Sequence, residues 1–343
     1  MRKYGFSLEK ENRRLPPTSK WLNPSYEGEI SEFDFELGKN INFPKNWQTE
    51  FPTYDYKIYE FEKIDYASNN DSMLEELIKK FNLEHISELW IDFYEIFNDV
   101  LNPILSKSSK RRNRTKAYRS FHVDSDATYA LNHLIKTKHQ GLLWEWTVTG
   151  KRSLGLAYVE SELYKRYPKC WNFGAECDGN TESVDNIRSV ANTVDNVQLF
   201  TAPLSLGTML CMSQILSHEG VAVFSMDQID TFKFCLIYIL ACGFETITIA
   251  RPNSKSDRIY FVCENFKGIA KSHIERLEQI LKFTKDLAVR PAIFPKNKIA
   301  PDFIVKFCDA FTKATIKREK KDLDWWIATT EIYPIRDHLK LIN

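Results

Sequence analysis

FETITIARPNSKSDRIYFVCENFKG, Phe244 to Gly268, is the stretch whose reading decides the fold. FETITIA and RIYFVC are β-branched and aromatic runs, the residue types of strands, and FETITIA alternates apolar and polar side chains with a strand's period. Between them Pro252, Asn253 and Ser254 supply turn chemistry, so the stretch predicts a β-hairpin. Thr231 to Cys242, just before it, is apolar and of helix length, and Ile269 to Leu281, just after it, is amphipathic.

Upstream the same alternation continues. A helix is expected over Ile86 to Leu105, with Leu89, Phe93, Ile96, Phe97 and Val100 on one face. Then come a strand near Tyr118 to Val123, a helix Thr128 to Lys138, and a strand at Trp144 to Trp146. Asn186 to Thr193, Val197 to Thr201, Leu206 to Ser217 and Val221 to Phe224 read as helix, strand, helix and strand. Strands alternating with helices predict a mainly parallel sheet covered on both faces. Residues 1–70 are rich in Pro, Asn and aromatics without a sustained period, and read as an extension of short strands or turns packing partly on the body. Asn69-Asn70-Asp71-Ser72 offers an N-cap for a helix over MLEELIKKF. The expected division is an extension over 1–70, a domain over 71–290, and a tail over 291–343, with Trp325-Trp326 and Tyr333-Pro334, that docks back.

At 43% hydrophobic residues the chain can bury a sizeable core. No apolar run approaches the roughly 18 residues that span a membrane, and MRKYGFSLEKENRR lacks the apolar segment of a signal peptide. The seven cysteines are scattered without CxxC spacing, which argues against a disulfide frame or zinc site and for reduced core residues. A net charge of +1 gives no global pull toward nucleic acid, so RNA contact would need a local patch. KSSKRRNRTKAYR is such a patch: Lys107, Lys110, Arg111, Arg112, Arg114, Lys116 and Arg119 with no acid among them. It reads either as a solvated loop or as a phosphate-contacting one, with a localisation signal as a third option.

The hairpin residues also carry a family likeness. Arg251-Pro252, the Ser-containing turn and Ile259-Tyr260-Phe261-Val262-Cys263 resemble the end of the ribose 2′-O-methyltransferase domain of RrmJ/FtsJ-like type. Ala130-Leu131-Asn132-His133 with Lys136, Trp144-Glu145-Trp146, ELWIDFYEIF (Glu88 to Phe97), WNFGAECDGN (Trp171 to Asn180) and AIFPKNKIAPDFIVKF (Ala292 to Phe307) are similar to one branch. That branch is the eukaryotic cap methyltransferases acting on the second transcribed nucleotide. The resemblance implies a Rossmann-like α/β methyltransferase fold: a mostly parallel sheet, helices on both faces, a terminal antiparallel strand, and N- and C-terminal extensions. It also implies S-adenosylmethionine, an RNA ribose, and an intracellular place in nucleus or cytoplasm.

A 2′-hydroxyl is a poor nucleophile at neutral pH, and the family meets this with a Lys-Asp-Lys-Glu tetrad that deprotonates and orients it. The matching positions here hold Asp92, Pro203, Ser225 and Arg258. The family's Glu-x-Pro-Gly cofactor loop is His122, then Asp124-Ser125, with Asp126 following, and Asn180 stands for the aspartate of its second loop. Loss of the glycine blocks close backbone approach, and two carboxylates would face the carboxylate of the methionine moiety. These departures imply a catalytically inactive pseudo-methyltransferase, an RNA-binding or scaffolding module for capped RNA or a protein partner, with no cofactor expected. The alternative is an active S-adenosylmethionine-dependent cap 2′-O-methyltransferase with a rearranged site, in which Lys233, Asp227, Asp257 or a lysine of the basic stretch converges on the cleft.

Other constellations are weaker. His122, Asp124 and Asp126 read as a turn cap rather than metal ligands, and no metal is expected. Ser205 with Gly207 lacks the nucleophile elbow, and Cys263 with His273 lacks an orienting group. Trp144 and Trp146 read as core rather than as a stack for cap guanine.

Overall fold

The computed structural model describes residues 1–22, 86–110, 117–123, 125–151, 163–226, 229–252, 258–284, 290 and 292–315. The expected MLEELIKKF helix, Trp325-Trp326 and Tyr333-Pro334 lie outside these residues.

The two runs of the opening stretch form strands β6 (Phe244–Arg251) and β7 (Ile259–Phe266), paired antiparallel with Ile249 opposite Phe261 and Thr248 opposite Val262. The other strands are β1 (Arg2–Phe6), β2 (Tyr118–His122), β3 (Trp144–Val148), β4 (Val197–Pro203) and β5 (Leu216–Met226). Among the described residues they make one seven-stranded sheet in the order β1-β6-β7-β5-β4-β2-β3. β3, β2, β4 and β5 are mutually parallel, while β7 runs against β5 and β6, and β1 runs against β6. The sheet is therefore Rossmann-like and mostly parallel in strand direction.

The hairpin does not end it. β1 covers the outer edge of β6, with Tyr4 opposite Ile249 and Phe6 opposite Ile247. β1 lies in the extension expected to hold short strands or turns, and Phe6 fixes it to the body by packing on Phe303 and Phe307. Helix α1 (Glu88–Ile96) is N-capped by Ser87, whose Oγ accepts from Trp90 N at 3.1 Å. It passes through a π-turn at Phe97–Leu101 into α2 (Asn102–Lys110), so the helix runs five residues past the expected Leu105. Pro103 has no N–H to complete the regular ladder, which accounts for the wide turn before it.

Helix α3 (Ser125–Lys138) begins three residues before the expected Thr128, placing Ser125 and Asp126 in its first turn, where an acid suits the helix dipole. The remaining helices are α4 (Val184–Thr193), α5 (Leu206–Ile215), α6 (Thr231–Gly243), α7 (Lys271–Thr284) and α8 (Pro301–Thr315). Leu216 and Ser217, expected to finish a helix, open β5 instead; the left-handed Glu219 (φ 64°) marks the irregular start of that strand.

α1 and α3 cover one face of the sheet, over Leu199, Val221, Val223, Tyr260 and Val262. α4 to α8 cover the other, over Phe121, Phe200, Phe224 and Phe261. Trp144 and Trp146 are buried, as read from the sequence. Cys211, Cys235, Cys263 and Cys308 are buried too, but Cys177 is exposed, because it sits at a left-handed turn (φ 57°) on the surface. No helix among the described residues is long and apolar enough to cross a membrane.

Candidate functional site

β2 has β3 on one side and β4 on the other, both parallel to it, so the chain changes direction across the sheet at β2. In an open α/β sheet such a switch point leaves a crevice at the carboxyl ends of the two strands. β2 ends there at His122, whose ring is fully buried. Nδ1 lies 2.8 Å from Thr201 Oγ1 and Nε2 lies 2.8 Å from Ser120 Oγ, which also accepts from Trp144 Nε1 at 2.8 Å. Burial lowers the His122 pKa to about 3, since the charged ring would lose its hydration. It is a neutral histidine satisfied within the core.

The cofactor-loop positions are taken up in the same way. Ser125 is buried at the start of α3, and Asp126 Oδ1 accepts from Ser87 Oγ at 2.7 Å, which ties the first turn of α3 to the cap of α1. Asp124 lies outside the described residues. Asn180 closes a turn: its Oδ1 accepts from Glu182 N at 3.1 Å, and its own N–H donates to Asp178 Oδ1 at 2.9 Å.

The turn carrying Asn180 is clamped over the strand ends. A Cβ at Gly179 would come 1.9 Å from Gly150 O, just beyond β3, and Gly179 has φ +67°; a Cβ at Gly207, in α5, would come 1.9 Å from Thr181 O. Glu182 then reaches the N-terminus of α5. Its carboxylate accepts from Ser205 Oγ (2.6 Å) and Gly207 N (3.3 Å) and is paired with Arg290 (2.8 Å). A carboxylate there is favoured by the helix dipole, and the place is already filled by this chain's own side chain.

Sheet register brings the four tetrad positions to one edge. Pro203, the last residue of β4, pairs with Ser225, and Ser225 pairs with Tyr260. Tyr260 Oη donates to Asp92 Oδ2 on α1 at 2.8 Å, and both residues are fully buried. Arg258 stands two residues before Tyr260, immediately ahead of β7. One turn along α1 from Asp92, the buried Glu95 is paired with the terminal ammonium of Met1 at 2.6 Å. The arrangement gives a buried carboxylate with a phenol donor at this edge.

The basic stretch is arranged differently from either expectation of a single loop. Lys107 and Lys110 belong to helix α2, and Arg111, Arg112, Arg114 and Lys116 lie outside the described residues. Arg119 is a strand residue, with Nε 2.8 Å from Glu145 Oε2 and a terminal nitrogen 2.9 Å from Asp195 Oδ1, so its charge is met by two acids. It also stands near the amino end of β2, three residues or about 10 Å along the strand from His122 and the crevice. Of the groups the active alternative requires, Asp227 and Asp257 lie outside the described residues. Lys233 starts from α6, in the layer opposite α1 and Asp92.

Sequence reasoning missed the Tyr260–Asp92 and Glu182–Arg290 pairs. Their members are 168 and 108 residues apart, and no local pattern links them.

No protein-family model matches the chain. It is 25% identical over 256 residues to the cap-specific mRNA (nucleoside-2′-O-)-methyltransferase 2 of Danio rerio, covering 65% of this chain and 34% of that protein. It is 24% identical over 235 residues to the uncharacterized protein L511 of Acanthamoeba polyphaga mimivirus, covering 60% and 29%. The chain thus spans about a third of the length of the curated relatives it matches. Among solved structures it is similar to the CurJ carbon methyltransferase (TM-score 0.32, 12% identity, 65% of this chain and 70% of that one). A protein from Plasmodium falciparum described as a ribosomal RNA methyltransferase gives TM-score 0.29 at 15% identity, over 50% and 98%. The chain is methyltransferase-like in sequence and Rossmann-like in fold.

Proposed function

We propose that this chain is a methyltransferase-like module that binds RNA and does not transfer methyl groups. The observation that carries this is the buried Asp92–Tyr260 pair at the edge where Pro203, Ser225 and Arg258 meet. The resemblance puts a lysine at position 92, and here a carboxylate is held in its place by a phenol. A buried carboxyl group at this place supplies no ammonium to stabilise the negative charge that develops as a ribose hydroxyl attacks. Losing one such group typically removes a factor of about 10² to 10³ in rate.

The crevice residues do not fit S-adenosylmethionine. The ring that ends β2 is locked into the core, the first turn of α3 contains Asp126 and no glycine, and Glu182 already fills the N-terminus of α5. Capped RNA as the ligand is supported by the name of the Danio rerio relative, and a protein partner on the same scaffold is the other occupant to test.

Calorimetric titration with S-adenosylmethionine, followed by a methyl-transfer assay on capped RNA, tests the proposal. Expected are no heat at millimolar cofactor and no transfer, alongside RNA binding by the same preparation. Cofactor binding at micromolar concentration with RNA-dependent transfer would overturn the inactive reading. Failure to bind capped or uncapped RNA would overturn the RNA reading.

A further inference from the structure

The outer edge of β3 carries a surface that the basic stretch at 107–119 does not explain. The chain from Leu163 to Phe173 packs along this edge: Tyr167 meets the Trp146 ring edge-on at 5.5 Å, and Trp171 bridges to Val148 at the carboxyl end of β3. The sequence there, LYKRYPKCWNF, alternates aromatics with cations and contains no acid. Its cations Lys165, Arg166 and Lys169 are exposed, as is Lys151 just beyond β3. Tyr164, Trp171 and Phe173 form one aromatic cluster. Trp171 and Phe173 are stacked at 5.4 Å, and Tyr164 meets both edge-on at 5.9 and 5.7 Å. Tyr164, Tyr167 and Phe173 are only half-buried, so aromatic surface faces solvent between the charges.

The nearest acids of the following turn are largely engaged. Asp178 accepts from Asn186 Nδ2 and Asn180 N, and Glu182 is paired with Arg290, which leaves the exposed Glu176 at the far end.

We propose that this edge takes a single-stranded RNA, with bases stacked on the Tyr164–Trp171–Phe173 cluster and phosphates met by Arg166, Lys169 and Lys151. Aromatic side chains between cations suit a single strand because every base offers a π-face and the backbone offers a regular charge. A duplex keeps its bases stacked on one another and could use only the cations. The inference rests on the RNA-binding reading above and gives it a place. That place lies at the carboxyl end of the sheet, where Arg119 does not.

The test is fluorescence anisotropy with short labelled oligoribonucleotides, capped and uncapped, single-stranded and duplex, over a salt series. Wild type is compared with Arg166→Glu/Lys169→Glu and with Lys271→Glu/Lys282→Glu, an equal charge change at exposed positions on α7. The first variant is expected to bind single strands at least ~10-fold more weakly. Its salt slope should be shallower by about 1.4, the value for two lost phosphate contacts on a single strand. The α7 variant is expected to match wild type, with thermal midpoints unchanged in both. Equal weakening by both variants, wild-type affinity in the first, or a preference for duplex would overturn this surface while leaving RNA binding elsewhere intact. Absence of RNA binding by wild type would overturn both this inference and the reading it rests on.

Discussion

The two faces of the sheet are built on different terms. Under α4 to α8 the contacts are almost wholly apolar: Phe121 stacks on Phe200 at 5.6 Å, Phe200 meets Phe224 at 5.8 Å, and Phe303, Phe307 and Phe311 line α8. Under α1 and α3 the strands present Ser120, His122 and Thr201, and α1 contributes the buried acids Asp92 and Glu95. A buried polar group costs free energy unless its partners are in place. The first face therefore gains its stability from area and shape, whereas the second adds to its own apolar core a set of buried polar groups that depend on their partners. The polar groups of the second face lie at the strand ends where the chemistry of a methyltransferase would be, and here they are turned inward on one another.

The largest effect should come from the apolar face. Phe303 is fully buried among Phe6, Phe234, Tyr238 and Phe307. Phe303→Ala should cost about 3–5 kcal/mol, because the transfer free energy and the cavity term add. Chemical denaturation would show a lower midpoint at unchanged slope, and the loss should be the same at pH 5 and pH 7.5.

The polar face should instead show its character through pH. The native His122 ring stays neutral down to about pH 3, whereas the unfolded chain takes up a proton below the ordinary value of 6.5. Its contribution is complete above pH 6.5 and is lost as pH falls toward 3, at about 1.4 kcal/mol per unit. Between pH 7 and pH 4 this should amount to about 3 kcal/mol. The difference between wild type and His122→Gln in denaturation free energy should shrink by that amount over the same interval. A pH-independent difference would erase the distinction between the faces.

How much of this was legible in the sequence follows the same division. The hairpin, α6 and the alternation of strands and helices could be read because periodicity is a local signal, fixed by which side chains share a face. The place of β1 at the outer edge of β6 could not, since what fixes it there is Phe303 and Phe307, some 300 residues away by the separation of Lys306 from Ser7. At the candidate site, the sequence located Asp92, Pro203, Ser225 and Arg258 as odd occupants. Only register and packing revealed that Tyr260 holds Asp92 and that Ser87 holds Asp126. Charge patterning placed Arg119 in a solvated or phosphate-contacting loop, because its ion pairs with Glu145 and Asp195 depend on β2, β3 and the turn before β4 coming together.

Tyr260→Phe removes a single oxygen and keeps the ring that meets Phe93 edge-on at 5.6 Å. The shape of the face survives, and the buried Asp92 carboxylate loses one donor. Hydrogen bonds to charged groups are worth about 1.5–3 kcal/mol, so a loss of about 2 kcal/mol is expected. Asp92→Asn in the same background should cost less than it does in wild type, a coupling that a double-mutant cycle reads directly. Additive effects would mean that the pair is not a unit, and the polar face would then differ from the apolar one in composition alone.

The smallest effect tests the opposite end of the sheet. Arg119 bridges Glu145 and Asp195, but Arg119 is 42% exposed and its partners 61% and 76%, so solvent screens both contacts. Arg119→Ala should change stability by less than about 1 kcal/mol, and less still in high salt. Its effect on RNA affinity should be equally small, because its guanidinium faces two carboxylates and stands at the amino end of β2, away from Arg166 and Lys169. A large loss of RNA binding in Arg119→Ala would move the RNA to the amino end of the strands. The crevice and the edge of β3 would then have no part in holding it.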